Sequence, residues 1–347
     1  MSKRDFGKTS KGEAASLYTI GNTKGMTVSI TDFGAAVVAI HVPGKDNVQV
    51  DVTTGYDDVA PYERETCYFG ATVARNANRI ANAKFDIDGV TYQLEVNDNE
   101  NNLHSGSNGT SEKIWAVKEM TDSKLVFTIV SGDLEQGFPG RCDMTVTYEV
   151  TEDNGLSIHY ELVSDKKTVI NPTNHTYFNL NGHASGKVYG HTLWLKASHY
   201  TPVINSHAIP TGEIAPVAGT PFDFTVAKTI GQDIEKEDIQ LGYGNGYDHN
   251  FAIDKESQGM EKVATVVGDD TGIQMDVYTD LPGIQLYTGN FIGGQKGKDG
   301  AEYEARGAFC LETQYFPDAV NQVNFASPVY EAGQKYDSTT IYKFSIK

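Results

Sequence analysis

The chain predicts an all-β fold, one large antiparallel β-sandwich with few short helices, and three observations carry that prediction. Apolar and polar residues alternate with the period of a strand along most of the chain. Helical spacing is scarce. Glycine is frequent, 35 of 347 residues, and most of it stands between the alternating runs, where turns demand positive φ.

Thr27–Ile30 and Val37–Val42 are the first strand-like runs. Phe85 to Leu94 alternates on either side of Asp88-Gly89, a pair that favours a tight hairpin turn. Leu125–Val130 follows, and then a longer hairpin pattern. In it Met144, Val146, Tyr148 and Val150 alternate before Asn154-Gly155, and Leu156, Ile158, Tyr160 and Leu162 alternate after it. Val263–Val267, Ile273–Tyr278 and Ile341–Ile346 complete the series. Successive strand residues point to opposite faces, so each apolar set lines one face. Ile230, Ile234 and Ile239 are spaced for one short helix, and Pro317–Val323 for another turn or two. No Pro/Gly/Ser-rich linker, charge block or fixed-period repeat divides the chain, so one domain over 1–347 is expected. The connections Asn97–Ile114 and Gly289–Gly307 exceed hairpin length and are where function is sought.

Composition narrows the function. Lys and Arg number 28 against 46 Asp and Glu, a formal charge of −18. Neutralising nucleic-acid phosphates needs a basic surplus, and so does adhering to an anionic membrane; neither partner is expected. No stretch reaches the roughly 18 to 20 apolar residues of a membrane span. Met1-Ser-Lys-Arg-Asp-Phe has no apolar run behind its charges, as a secretory signal would. Cys67, Cys142 and Cys310 are odd in number and far apart, which suits a reducing compartment and offers no disulfide framework or zinc motif. The expected location is the cytoplasm.

The chain has no phosphate-cradling loop, serine elbow or dinucleotide fingerprint. Gly242-Tyr-Gly-Asn-Gly-Tyr leads toward a strand, not a helix, and reads as a turn-rich loop. Three histidines sit in polar surroundings: His104 at the mouth of a glycine-rich loop, His175 between Asn174 and Thr176, and His249 beside Asp248. Each is suited to proton exchange near neutral pH, or to bonding its loop backbone. Glu312 stands in the apolar run Phe309-Cys-Leu-Glu, either buried with a raised pKa, as a general base needs, or facing outward by alternation. Arg75 and Arg79, with Asn78, offer the fixed donors that sugar hydroxyls require, or form a solvated surface pair. The three histidine sites lack the short ligand spacing of a metal motif. Proton transfer on a polyhydroxylated small molecule is the simplest chemistry this set supports.

Seven segments, in order and across nearly the whole chain, resemble the galactose mutarotases, the aldose 1-epimerase family. They are Ala77-Asn-Arg-Ile80, Asn102-Leu-His-Ser-Gly106, Thr173-Asn-His-Thr-Tyr-Phe-Asn-Leu180, Ile209-Pro-Thr-Gly-Glu-Ile214, Gly219-Thr-Pro-Phe-Asp-Phe224, Gly246-Tyr-Asp-His-Asn250 and Leu311-Glu-Thr-Gln-Tyr-Phe-Pro-Asp-Ala319. The resemblance implies a galactose mutarotase-type sandwich with an open sugar cleft, and an isomerase interconverting the α and β anomers of D-galactose, D-glucose and related aldoses. By motif, Glu312 would be the general base at the C1 hydroxyl and His175 the general acid at the ring oxygen. His104 would assist at that oxygen, and Asn78, Arg79 and Asp248 would bind hydroxyl groups. A cytoplasmic place in galactose and carbohydrate metabolism is implied, with a monosaccharide substrate, no cofactor and no metal; a homodimer is left open. Gln314-Tyr315 departs from a frequent Gln-His pair. A non-catalytic sugar-binding module, a relative acting on phosphorylated hexoses and a glycosidase are the competing readings.

Overall fold

A computed structural model describes residues 1–45, 48–64 and 67–347. Its strands gather chiefly into three antiparallel sheets of five, nine and six strands. The five-stranded sheet runs in chain order from Ser2–Lys8 to Gln49–Asp51. The nine-stranded sheet is built around three long neighbours, Cys142–Val150, Gly155–Ser164 and Lys335–Ile346. The six-stranded sheet orders Tyr177–Phe178, Phe309–Gln314, Gly283–Tyr287, Asp248–Ala252, His199–Tyr200 and Ala215–Pro216.

The alternation in the sequence becomes the core. Val146, Ile158 and Tyr342 of the nine-stranded sheet pack in one apolar cluster with Leu286, Phe309 and Leu311 of the six-stranded sheet, and Ile20, Val28 and Ile30 of the first sheet join them. Each such side chain taken fully out of water contributes about 1.5–3 kcal/mol of transfer free energy. The long hairpin closes through Asn154, whose φ of +61° is left-handed, and the short one through Asp88 and Gly89 at +51° and +79°. Both turns fall where the turn residues predict.

The helical expectations fare less well. Ile230, Ile234 and Ile239 do not share a helix: a 3-10 turn spans Ile230–Gln232 and a separate α-helix spans Ile239–Gly244. Asp238 starts the second one by accepting the Gln240 and Leu241 N–H groups, a side-chain cap that begins a new helix rather than continuing an old one. Pro317–Val323 is turn rather than helix. There Asp318 takes a left-handed φ of +56°, and its carboxylate accepts from Ala81, Asn321 and Gln322. Among the described residues no helix is long and apolar enough to cross a membrane.

In an antiparallel sheet, directly opposed residues share a face. Gln285 opposes Glu312, Tyr287 opposes Cys310 and Asp248, and Tyr177 opposes Cys310. These residues therefore lie on the side of the six-stranded sheet turned away from the Leu286–Leu311 core. A second apolar cluster, including Phe69, Tyr177, Tyr303 and Cys310, covers part of that outer side. The strand Phe309–Gln314 is consequently buried on both faces.

Candidate active site

A cleft of about 520 Å³ opens on this outer face. Its floor comes from the sheet: Glu312, Asp248, Tyr287 and Tyr177. One wall comes from residues that a two-strand ribbon holds, in which Arg79 opposes Leu103 and Ile80 opposes Asn102. One step beyond the ribbon, the His104 N–H donates to the Asn78 carbonyl at 3.0 Å. His175 enters from the loop between Thr173–Asn174 and Tyr177–Phe178. Its backbone is tied at both ends, its N–H donating to Ala71 and its carbonyl accepting from Gly70.

Glu312, His175, His104, Asn78, Arg79 and Asp248 all line this one cleft. Glu312 is 2% exposed, so the outward-facing alternative for it does not hold. The His175 Nε2 lies 3.6 Å from the Glu312 Oε1. The His104 ring stands nearly perpendicular to that of His175, centroids 5.2 Å apart. Asp248 accepts from the Gln285 amide at 2.7 Å, and Arg79 donates to Asp98 at 2.7 Å. On the far side of His175, the Cys310 Sγ lies 3.6 Å from Nδ1.

Burial sets the protonation of these groups. It pushes the Glu312 carboxyl well above its ordinary 4.5; the Asp248 charge adds to the rise and Arg79 opposes it. It lowers His175 to about 4. His104 falls well below 6.5 through burial, then through His175 and Arg79. Asp248 is raised by burial, with Arg79 and the Gln285 bond holding it back.

One expectation needs correcting, and one open alternative is decided. Arg75 is 2% exposed and binds Ser131 and the carbonyls of Pro139, Gly132 and Gly140, so it braces a loop and does not reach the cleft. Of the two readings of His249, backbone bonding holds: its Nδ1 accepts the Asp248 N–H at 3.2 Å, while the ring follows strand alternation to the face opposite Asp248 and packs edge-on against Phe222, centroids 4.6 Å apart. Sequence reasoning passed over Asp98, Gln285 and Tyr68, whose ring lies 4.7 Å from that of His104. A signal existed for the first two: Asp98 sits in the long loop already singled out, and Gln285 is a lone amide in the apolar run Gly283-Ile-Gln-Leu.

His104, His175 and Glu312 each offer one donor atom, and the three lie within 4.8 Å of one another. A metal-bound imidazole normally donates its second N–H to an acceptor. The second nitrogen of His104 instead faces a donor, the Asn78 N–H at 3.1 Å, so the set does not suit an ion.

The aldose 1-epimerase family model matches residues 16–343. The galactose mutarotase of Homo sapiens is 40% identical over 323 residues, 92% of each chain. The aldose 1-epimerase of Escherichia coli strain K12 is 35% identical over 335 residues, 96% of each. Among solved structures, the aldose epimerase homologue from C. elegans superposes with a TM-score of 0.89 at 29% identity, covering 96% of this chain and 99% of that one. The galactose 1-epimerase from Lactobacillus acidophilus NCFM gives 0.86 at 25% identity, covering 99% and 98%. A match that spans 328 consecutive positions and a fold shared along its length leave no other assignment: this chain belongs to the aldose 1-epimerase family.

Proposed function

We propose that the protein is an aldose 1-epimerase that interconverts the α and β anomers of D-galactose, D-glucose and related aldoses, with Glu312 as base and His175 as acid. The observation that carries this reading is the pair itself: a carboxyl and an imidazole 3.6 Å apart, both buried and both lining one cleft. Burial raises one pKa and lowers the other. Between those limits the pair keeps a single proton, and burial alone leaves it on Glu312.

A bound pyranose favours the other arrangement. Its C1 hydroxyl donates to a Glu312 carboxylate, and its ring oxygen accepts from a His175 imidazolium, so the proton shifts across the pair. Glu312 then takes the C1 hydroxyl proton, the C1–O5 bond breaks with its electrons on O5, and His175 protonates O5. The open-chain aldehyde faces a carboxyl and a neutral imidazole, the distribution that burial prefers. Rotation about C1–C2 and the reverse transfers yield the other anomer. No leaving group departs and no electron is transferred.

Asn78, Arg79 and Asp248 bind hydroxyl groups in this reading. Arg79 is already paired with Asp98, and Asp248 and Glu112 also line the cleft, so a neutral sugar suits it better than a phosphorylated one. A glycosidase would leave the two histidines unexplained, and a binding module would need no buried proton-sharing pair. The chain acts as one domain and works in the cytoplasm. Polarimetry of freshly dissolved α-D-galactose tests the activity. Catalytic amounts of protein accelerate the change in rotation, and Glu312→Gln abolishes the acceleration; no acceleration with galactose or glucose refutes the reading.

A further inference from the structure

Two histidines stand 5.2 Å apart in this cleft, and either could in principle exchange a proton with the sugar. Their second nitrogens distinguish them. The His104 Nδ1 accepts the backbone N–H of Asn78 at 3.1 Å, while the His104 backbone N–H donates to the Asn78 carbonyl at 3.0 Å. The two residues thus hold each other through a reciprocal pair of bonds. Asn78 has a φ of +58° and His104 one of +51°, both left-handed. Asn tolerates that region, and here the Asn78 Oδ1 accepts the Arg79 N–H at 2.9 Å, bracing the turn. The adjoining Arg79–Leu103 ribbon sets where the amide points.

A backbone amide can only donate, so the nitrogen it faces must carry a lone pair. We infer that the Asn78 backbone amide locks His104 in its Nε2–H tautomer, so that His104 meets a sugar oxygen only as a fixed hydrogen-bond donor. A proton on Nδ1 would set two N–H groups against each other at 3.1 Å. His104 can therefore accept no proton at Nδ1 without breaking the bond, and can give none from Nε2 without becoming an imidazolate. Burial and the neighbouring His175 and Arg79, which disfavour a charged ring, act in the same direction. In His175 the corresponding nitrogen lies 3.6 Å from the Cys310 sulfur, a weak donor and a weak acceptor, which tolerates either protonation state. Asn78 is then a positioning residue whose backbone acts through His104, in addition to any contact its side chain makes.

The ligand half of this inference rests on the sugar-binding reading; the tautomer half does not. Side-chain ¹⁵N NMR of the labelled, sugar-free full chain reads the tautomer directly, with the His104 signals identified by their loss in His104→Gln. The expected result is a protonated Nε2 and a bare Nδ1 at pH 7, unchanged at pH 5.5. An Nδ1–H form or an imidazolium at either pH overturns the lock. Asn78→Gly, which keeps the left-handed turn, retains the tautomer; Asn78→Val, whose branched side chain excludes that turn, yields a mixture. A pure Nε2–H form in a folded Asn78→Val protein shows that the amide is not the lock, and the wild-type and Asn78→Gly spectra decide the matter if that variant does not fold. His104→Gln, which places an amide donor where Nε2–H stood, keeps kcat about tenfold above His104→Ala. Equal values overturn the donor role. If the wild-type chain fails to accelerate mutarotation while the spectrum is as expected, the sugar reading fails and the lock stands.

Discussion

His175 and His249 are both enclosed imidazoles whose pKa burial depresses, to about 4 and about 3 respectively. Their chemical prospects differ completely. The Nε2 of His175 looks across 3.6 Å at Glu312 and into a cleft. That of His249 has no hydrogen-bond partner among the described residues and lies in the aromatic core beside Phe222 and Tyr200. Desolvation shifts both groups alike; only one of them has a second titratable group within reach and an opening for a solute, the two things that proton transfer needs. A perturbed histidine is thus a sign of burial first.

That contrast is tested most severely at the pair itself. Glu312→Gln and His175→Asn, each close in shape and unable to take part in the proton exchange, should lower kcat by about 10²- to 10⁴-fold, the range for lost general acid–base catalysis. Circular dichroism of both variants should match the wild type, because neither residue supports the apolar core. Near-normal turnover in either one disproves its role.

The pH profile of kcat/KM is the next test. In the proposed mechanism activity requires one proton on the pair, so the profile should be a bell. Its acid limb lies near pH 4, where His175 gains a second proton while Glu312 is still protonated. Its alkaline limb lies at the raised pKa of Glu312, above the usual carboxyl value. A profile flat through pH 4 shows that His175 does not titrate as described.

Asp248→Asn removes a charge that helps to raise Glu312. The alkaline limb should therefore move to lower pH, and KM should rise about tenfold through the loss of a charged hydroxyl contact. An unmoved alkaline limb would mean that the two carboxylates do not interact.

The smallest effect on activity belongs to His249. Its folded pKa is about 3 against 6.5 in an exposed chain. The unfolded chain thus takes a proton that the folded one refuses, and stability falls as pH drops from about 6.5 toward 3, by up to about 1.4 kcal/mol per pH unit for this group. His249→Phe should flatten that loss in urea titrations at pH 7 and pH 5, with kcat within about twofold of wild type. A large loss of kcat would place His249 in the site after all.

The residues differ in how openly the sequence declares them. The strand hairpins around Asp88-Gly89 and Asn154-Gly155 were legible because strand period and turn chemistry act over a few neighbours. The cleft residues were legible chiefly as motifs, since nothing local joins Asn78, His104, His175, Asp248 and Glu312. Arg75 and Arg79 looked equivalent four residues apart, yet one braces the loop carbonyls of Gly132, Pro139 and Gly140 and the other lines the cleft. Glu312 was ambiguous because alternation assumes one covered face, and this strand has two. The Ile230–Ile239 helix failed because a capping aspartate, Asp238, outweighed the apolar spacing.

By itself, then, the sequence determined the β class, the turn positions and the segments that carry the family likeness. These follow from periodicity and short-range sterics, which need no knowledge of distant contacts. Tertiary structure alone decided which polar residues share a cleft, which histidine has a proton partner, and which way each ring turns. Those properties depend on pairs far apart in the chain, such as His175 with Glu312 and Asn78 with His104, and on desolvation that exists only once the sheets have closed around them.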